Sequence, residues 1–186
     1  MNTWLWALGA AVMIILIVLI WSIATYNTLI ALKERVQNAK GQIAAQLESR
    51  WDAVKSLIDA TKKYALYEAE LLENITRQRV SVSRSSNVRE LEEANDQYNQ
   101  VVGRLLAVSE SYPELKANEV YKEAMSGIGT FENYVRHARM IYNDCVTKFN
   151  QKIKMFPSSI IAGTFGFTEE GYFETTDAKQ DIPGWE

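Results

Sequence analysis

The sequence predicts an all-α protein, in which an N-terminal transmembrane helix is followed by an antiparallel helical bundle and an irregular, aromatic C-terminal strap. Three observations predict this class. The 186-residue chain has three prolines, it shows no sustained alternation of apolar and polar residues, and all its charged residues lie at or after Lys33. We therefore expect an anchor with a short N-terminal tail over residues 1–25, a bundle over residues 26–156, and a strap and tail over residues 157–186.

The segment from Trp4 to Ala24 is uncharged and almost wholly apolar. Its roughly 21 residues would span about 31 Å as a helix, which matches the hydrocarbon core of a bilayer. A cleaved signal peptide is the alternative, because Ser22-Ile23-Ala24 resembles a cleavage site. The run is longer than a signal core, however, and no Lys or Arg precedes it. We expect a retained anchor over residues 4–24, with the lipid bilayer as its partner.

Basic residues follow this segment at Lys33, Arg35 and Lys40, whereas only the α-amino group precedes it. The positive-inside rule therefore favours an N-terminus outside and a bundle in the cytoplasm.

Between Tyr26 and Arg79 the chain has no proline and a single glycine, Gly41. A helix could run through this whole region, yet the Ser-x-x-Asp spacing of Ser49 and Asp52 resembles a new N-cap. With a break there, four helices form the bundle, and the strap emerges next to the membrane. Without it, three long helices form the bundle and the strap emerges far from the membrane. The N-cap pattern favours four helices.

Two further helices are predicted downstream. The first begins after Asn87, with Glu90 three residues later in a capping-box arrangement, and the polar stretch 81–87 is the loop before it. The second follows Asn118 and reaches about 54 Å. Its apolar residues recur at steps of three and four, as expected for one buried face. They are Tyr121, Ala124, Ile128, Phe131, Val135, Ala138, Tyr142, Cys145, Phe149 and Ile153.

The segment after Phe156 is apolar and aromatic but contains Gly163, Gly166 and Gly171. These glycines favour an ordered, non-helical strap over a further helix. The strap is interpreted either as a lid over the end of the bundle or as a docking surface for a protein or for the lipid interface.

An ordered series of short motifs covers about residues 26–174. The motifs are Tyr26-Asn27-x-Leu29, Tyr112-Pro113-Glu114-Leu115-Lys116-Ala117-Asn118, Ala138-Arg139-x-x-Tyr142-Asn143, Phe149-Asn150, Phe156-Pro157, Gly166-Phe167 and Tyr172-Phe173-Glu174. Together they resemble the LemA family of bacterial membrane proteins.

The resemblance implies a single transmembrane helix in the bacterial inner membrane, an extracellular N-terminal tail and a helical domain related to four-helix up-and-down folds. It implies no established biochemical activity. Family members usually carry a proline where this chain has Lys55, after a pair of basic residues of which Arg50 remains. The missing proline weakens the case for a break in the first helix.

Composition and charge argue against nucleic-acid binding and give few candidates for catalysis or metal binding. A net charge of −3 gives no basic excess for a nucleic-acid partner. The single histidine, His137, and the single cysteine, Cys145, are interpreted as a boundary residue on a polar flank and a core residue. Several carboxylates are interpreted as solvated helix faces. They are Glu68, Glu70, Glu73, Glu90, Glu92 and Glu93.

We therefore predict no catalytic, cofactor-binding or metal-binding residue, no cofactor and no small-molecule substrate. Asn27, Asn143 and Asn150 stand out because helix interiors give asparagine little advantage. We interpret them as buried residues that fix the register of the bundle, with ligand binding as the alternative.

The leading hypothesis is a non-enzymatic membrane scaffold or adaptor that forms a homo-oligomer or holds a membrane-associated protein partner. The alternative is an envelope sensor or ligand-binding domain on the outer side of the membrane.

Overall fold

A computed structural model describes residues 3–63, 66–77 and 81–173. Within these residues all regular secondary structure is helical. The helices are α1 (Thr3–Thr61), α2 (Leu66–Arg77), α3 (Val88–Ser111), α4 (Pro113–Ala117), α5 (Glu119–Lys154) and α6 (Ser158–Thr164). The predicted all-α class with a long apolar N-terminal helix is confirmed. The tail predicted over residues 174–186 lies outside the described residues.

The predicted break in the first helix is wrong, because α1 continues without interruption to Thr61. The Ser49 hydroxyl donates a hydrogen bond to the carbonyl oxygen of Ala45 at 3.0 Å, as serines in helix interiors do, and caps nothing. Burial explains the continuity, since Leu47, Trp51 and Val54 keep a helical stripe on the core side through the proposed break. The three-helix alternative is not formed either, because α1 ends at Thr61 and a separate helix, α2, follows it.

Helices α3 and α5 form where the sequence predicted them. The Asn87 side chain accepts a hydrogen bond from the Glu90 N–H at 2.9 Å, and the Glu90 carboxylate accepts one from the Asn87 N–H at 3.1 Å. This is the predicted capping box of α3. At the start of α5, the Asn118 side chain accepts a hydrogen bond from the Tyr121 N–H at 3.2 Å.

The strap is partly helical, so the prediction of a wholly non-helical segment is wrong for α6. The glycine at 166 ends this helix, with a φ of 69° that favours glycine. The Phe167 N–H donates to the Ala162 carbonyl at 2.9 Å, and the Gly166 N–H donates to the Gly163 carbonyl at 3.3 Å. These two bonds are those of a Schellman motif. The residues from Phe167 to Phe173 have no regular secondary structure.

The chain divides into two compact units. The first contains the described residues of Met1–Gln37 and Asp144–Gly171, and the second contains those of Asn38–Asn143 and Tyr172–Glu186. The second unit is a helical bundle with a core cluster that draws on α1 to α5. The members of that cluster are Trp51, Val54, Leu57, Ile58, Leu72, Tyr98, Val101, Leu105, Leu115, Tyr121 and Ile128.

The N-terminal part of α1, in the first unit, is long and apolar enough to cross a membrane. An 18-residue window has a mean hydropathy of 2.7, and none of it is buried. A core helix of the same composition would be covered by other helices, so burial inside the protein does not account for this hydrophobic surface.

Candidate functional site

The second unit contains a fully buried arginine, Arg50, on α1. Its guanidinium donates hydrogen bonds to the side-chain oxygens of Asn95 at 3.0 Å and Asn99 at 3.5 Å, both on α3. It also forms an ion pair with the Glu132 carboxylate on α5. Three helices therefore converge on one charged group. A buried cation needs such partners, because leaving it unpaired costs several kcal/mol.

The ring of Tyr98 forms one wall of this site. The Arg50 guanidinium carbon lies 3.8 Å from the ring centroid, which is a cation–π distance, and the Trp51 ring meets the Tyr98 ring edge-on at 5.6 Å. Burial raises the pKa of the Tyr98 hydroxyl, because the low-polarity surroundings disfavour the phenolate, and the Arg50 charge opposes that effect.

Glu132 provides the solvent-facing side of the arginine site. Its side chain is 40% exposed, whereas that of Arg50 is fully buried. The arrangement joins α1, α3 and α5 through a charge whose counter-ion reaches the surface. Its chemical character is that of a structural ion pair, since the guanidinium hydrogen-bonds to protein side chains on both of its terminal nitrogens.

Sequence reasoning missed this site. The sequence nevertheless contains a signal for a buried Arg50. This residue lies three residues after Leu47 and four before Val54, on the apolar stripe of α1, where a solvated arginine is not expected.

A second polar arrangement lies in the first unit, where Asn150 of α5 holds the segment that follows α6. The Asn150 side-chain nitrogen donates to the Glu170 carbonyl at 2.9 Å, and the Glu170 N–H donates to the Asn150 side-chain oxygen at 3.0 Å. The amide side chain thus donates one hydrogen bond to the backbone of Glu170 and accepts one from it, as a hydrogen-bonded residue pair in an antiparallel β-sheet does. Asn150 is buried, so these bonds are shielded from water.

In the second unit, Asn143 makes the same pair of hydrogen bonds to a backbone residue. Its side-chain nitrogen donates to the Phe173 carbonyl at 3.1 Å, and the Phe173 N–H donates to its side-chain oxygen at 2.9 Å. The Arg139 guanidinium lies over the Phe173 ring at 4.7 Å, and that ring is buried. The amides therefore hold backbone segments instead of fixing helix register. Asn27 is exposed, so its prediction as a buried residue is wrong.

The first unit also holds an aromatic cluster at the end of the apolar stretch of α1. The Tyr26 ring lies 4.7 Å from the Phe165 ring and 5.9 Å from the Phe167 ring. Phe149 meets Phe167 edge-on at 6.3 Å, and the Lys33 ammonium lies 6.0 Å from the Phe167 ring centre. These contacts bring the strap next to the end of the apolar stretch.

A surface cleft of about 420 Å³ lies in the second unit. Its lining is formed by Trp51, Asp52, Lys55, Ile58, Asp59, Glu73, Thr76 and Arg77. Beside it, Lys62 pairs with Glu73 and Asp59, and hydrogen bonds to these carboxylates raise the pKa of the Lys62 ammonium. The cleft is lined mainly by polar and charged side chains, with charges of both signs.

The residues considered for chemistry differ in their environments. His137 is exposed on α5, and Cys145 is half-buried. Among the carboxylates, Glu90 caps α3, Glu73 pairs with Lys62, and the side chain of Glu68 lies outside the described residues. Within the described part of the chain, no group of three or more His, Cys, Asp and Glu side chains is placed to hold a metal ion.

Comparison with known proteins places these features in a family context. The sequence model of the LemA family matches residues 39–184. A protein named LemA from Metamycoplasma hominis is 26% identical over 159 residues, which cover 83% of this chain and 71% of the relative. Magnetosome protein MamQ 2 from Paramagnetospirillum magneticum is 21% identical over 179 residues, which cover 82% of this chain and 66% of that relative. The matches thus span about two thirds to seven tenths of these relatives.

Proposed function

The chain belongs to the LemA family, and on that premise we propose that it is a non-enzymatic, single-pass membrane protein. Its helical domain acts as a scaffold or adaptor at the cytoplasmic surface of the bacterial inner membrane. It self-associates there or holds a membrane-associated partner protein.

The observation that carries the proposal is the exposed apolar surface of α1. Its most hydrophobic window has no buried residue, so a bilayer is the environment that would remove this surface from water. Each side chain of this kind contributes about 1.5 to 3 kcal/mol when it leaves water, and the whole stretch therefore favours insertion strongly.

A retained anchor is supported over a cleaved signal by contacts across the candidate cleavage site. The exposed ring of Phe165 lines a groove with Leu19, Ser22 and Ile23, which precede the site, and with Tyr26, which follows it. Cleavage after Ala24 would remove one wall of that groove.

Exposed apolar residues on α5 support the scaffold role. Tyr134 and Ile141 are 53% and 37% exposed, and they lie seven residues, or about two turns, apart on one side of the helix. An apolar strip of this kind on a rigid helix suits contact with a second copy or a partner protein.

Two measurements test the proposal. The first is the side of the membrane on which residue 35 lies, measured with Arg35→Cys in a Cys145→Ala background. The new thiol should be protected from an impermeant thiol reagent in intact cells and labelled after permeabilisation. The second is co-purification of two differently tagged copies from solubilised membranes, compared with the Tyr134→Ser, Ile141→Ser double variant. Labelling of intact cells would contradict the cytoplasmic domain. Equal co-purification with and without these two side chains would contradict a role for this strip in self-association.

We propose the envelope sensor as a second candidate, supported by the surface cleft of about 420 Å³ beside Trp51. It requires the opposite orientation, so the same cysteine would be labelled in intact cells. A Trp51→Phe variant would then lose ligand-induced changes in fluorescence.

A further inference from the structure

We infer that the uncharged loop formed by residues 155–168, which includes the short helix α6, inserts into the interface of the lipid bilayer, beside the end of the membrane-spanning part of α1. The inference rests on the proposed membrane span. It adds a second contact between this chain and the lipid, and all the residues that carry it belong to the first unit.

The depth of the loop follows from its contacts with α1. Phe165 lines an apolar groove with Leu19 and Ile23, and its ring packs on Tyr26. Leu19 lies five residues before Ala24, the end of the apolar stretch, which is about 7.5 Å of helix rise. If that stretch occupies hydrocarbon, a ring beside Leu19 and Ile23 lies at the same depth. Interfacial protein segments typically bury their apolar side by about 5 to 10 Å.

The loop and α1 both change from uncharged to charged residues close to one another. The loop itself contains no charged residue, and the residues on either side of it, Lys154 and Glu169, form an ion pair at 2.8 Å. On α1 the first charged residue is Lys33, whose ammonium lies 6.0 Å from the Phe167 ring centre. The same boundary between uncharged and charged residues therefore occurs on both segments, as expected for segments that enter one interface.

The large exposed side chains of the loop are apolar. Met155, Phe156, Ile160 and Phe165 are 61%, 80%, 57% and 58% exposed. Four large apolar side chains within eleven residues of one loop would be costly in water. They suit the boundary between headgroups and acyl chains, where aromatic rings are enriched.

Two hydroxyl groups of the loop, those of Ser158 and Thr164, have partners within the chain. The Ser158 hydroxyl lies 2.7 Å from the Lys152 carbonyl and 2.8 Å from the Met155 carbonyl, and the Thr164 hydroxyl donates to the Ile160 carbonyl at 2.8 Å. Groups that already have partners lose little when water is removed.

Lipid suits this surface better than a protein partner does. The loop is continuous with the exposed apolar surface of α1, to which it is joined by the groove at Leu19 and Ile23. Protein interfaces carry a polar rim and hydrogen bonds, whereas the loop offers an uncharged apolar face with charges only at its two ends.

The test uses the full chain with Cys145→Ala and one new cysteine, reconstituted in vesicles of phosphatidylcholine and phosphatidylglycerol. A nitrobenzoxadiazole fluorophore is attached to the new cysteine, which is Met155→Cys in the first loop variant, and lipids with a doxyl group either high or deep in the acyl chain are added as quenchers in separate samples. Met140→Cys is the matched control, because it changes the same residue type at 63% exposure in the second unit. Leu16→Cys reports on the proposed span, and Ile160→Cys provides an independent probe of the loop.

We expect blue-shifted emission and strong quenching at Met155→Cys, Ile160→Cys and Leu16→Cys, and weak quenching at Met140→Cys. If Leu16→Cys is quenched and either loop probe is not, the inference is overturned and the membrane span stands. The loop would then be a protein-docking surface. Equal quenching at Met140→Cys and at the loop probes also overturns it, since the label would then follow lipid wherever it is attached. No quenching at Leu16→Cys refutes the membrane span, and the inference falls with it.

Discussion

Replacing Asn150 with alanine should release the segment around Glu170 from α5. The change removes two hydrogen bonds, one from the Asn150 side chain to the Glu170 carbonyl and one from the Glu170 N–H to the Asn150 side chain. At about 1 kcal/mol for each bond, the segment loses about 2 kcal/mol of local stability. That loss corresponds to roughly a 30-fold larger population of the open segment.

The assay is hydrogen exchange at the Glu170 amide, measured on the full chain in detergent or nanodiscs. Exchange tracks local opening, so it should accelerate by roughly 30-fold in Asn150→Ala, while amides in the middle of α3 keep their rates. Asn27→Ala is the matched control, because Asn27 is an exposed asparagine on α1. Asn150→Asp keeps an acceptor for the Glu170 N–H but turns an oxygen towards the Glu170 carbonyl, so it should give an intermediate rate. An unchanged Glu170 rate in Asn150→Ala would refute the role assigned to this side chain.

Three further predictions concern the second unit. Arg50→Lys should lower the free energy of unfolding by about 2 kcal/mol, because lysine cannot reproduce the forked hydrogen bonds or the ring contact; Arg104→Lys, at an exposed site, should change it by less than about 0.5 kcal/mol in the same denaturant titration. Burial raises the pKa of Tyr98 above its ordinary value of 10.0, so the folded state holds that proton longer than the unfolded state does. The stability that the protonated Tyr98 hydroxyl contributes is therefore complete below pH 10.0 and is lost as pH rises further. Tyr98→Phe should lose less free energy of unfolding in alkali than the parent chain, and parallel curves of unfolding free energy against pH would contradict this. Asn87→Ala should cost about 1 kcal/mol by removing the cap of α3, compared with Ser85→Ala as the exposed control, and equal melting temperatures would argue against the cap.

The elements that could be predicted from sequence are those whose signals are local. The start of α3 depends on two residues three positions apart, Asn87 and Glu90, and the structure contains the bonds that this spacing predicts. The apolar stripe of α5 likewise indicates a helix without reference to the rest of the chain, and Val135 and Tyr142 are buried as it predicts.

The break predicted at Ser49 failed because a local capping pattern competes with burial. Serine can cap a new helix or donate to a carbonyl of its own helix, and the spacing to Asp52 does not distinguish the two. The buried side chains on both sides of Ser49 favour the second arrangement. Tertiary packing therefore decided what the local signal left open.

The polar sites could be predicted only in part, since their partners are distant in sequence. Arg50 meets Asn95, 45 residues away, and Glu132, 82 residues away. Asn143 and Asn150 are unusual residues for helix interiors, but the backbone groups that they hold lie 30 and 20 residues further along. Side-chain type signals that a partner exists, and only the fold determines which group it is.

The backbone conformation of Gly166 at the end of α6 is one that disfavours L-amino acids with a side chain. A methyl group at this position would meet no atom within 4 Å, so space does not restrict the residue; its φ of 69° does. An L-alanine would be strained by about 1 to 2 kcal/mol, whereas a D-alanine has its favoured backbone angles in this region. The turn that carries Phe165 and Phe167 to the same tyrosine ring thus depends on the one amino acid that lacks a stereocentre.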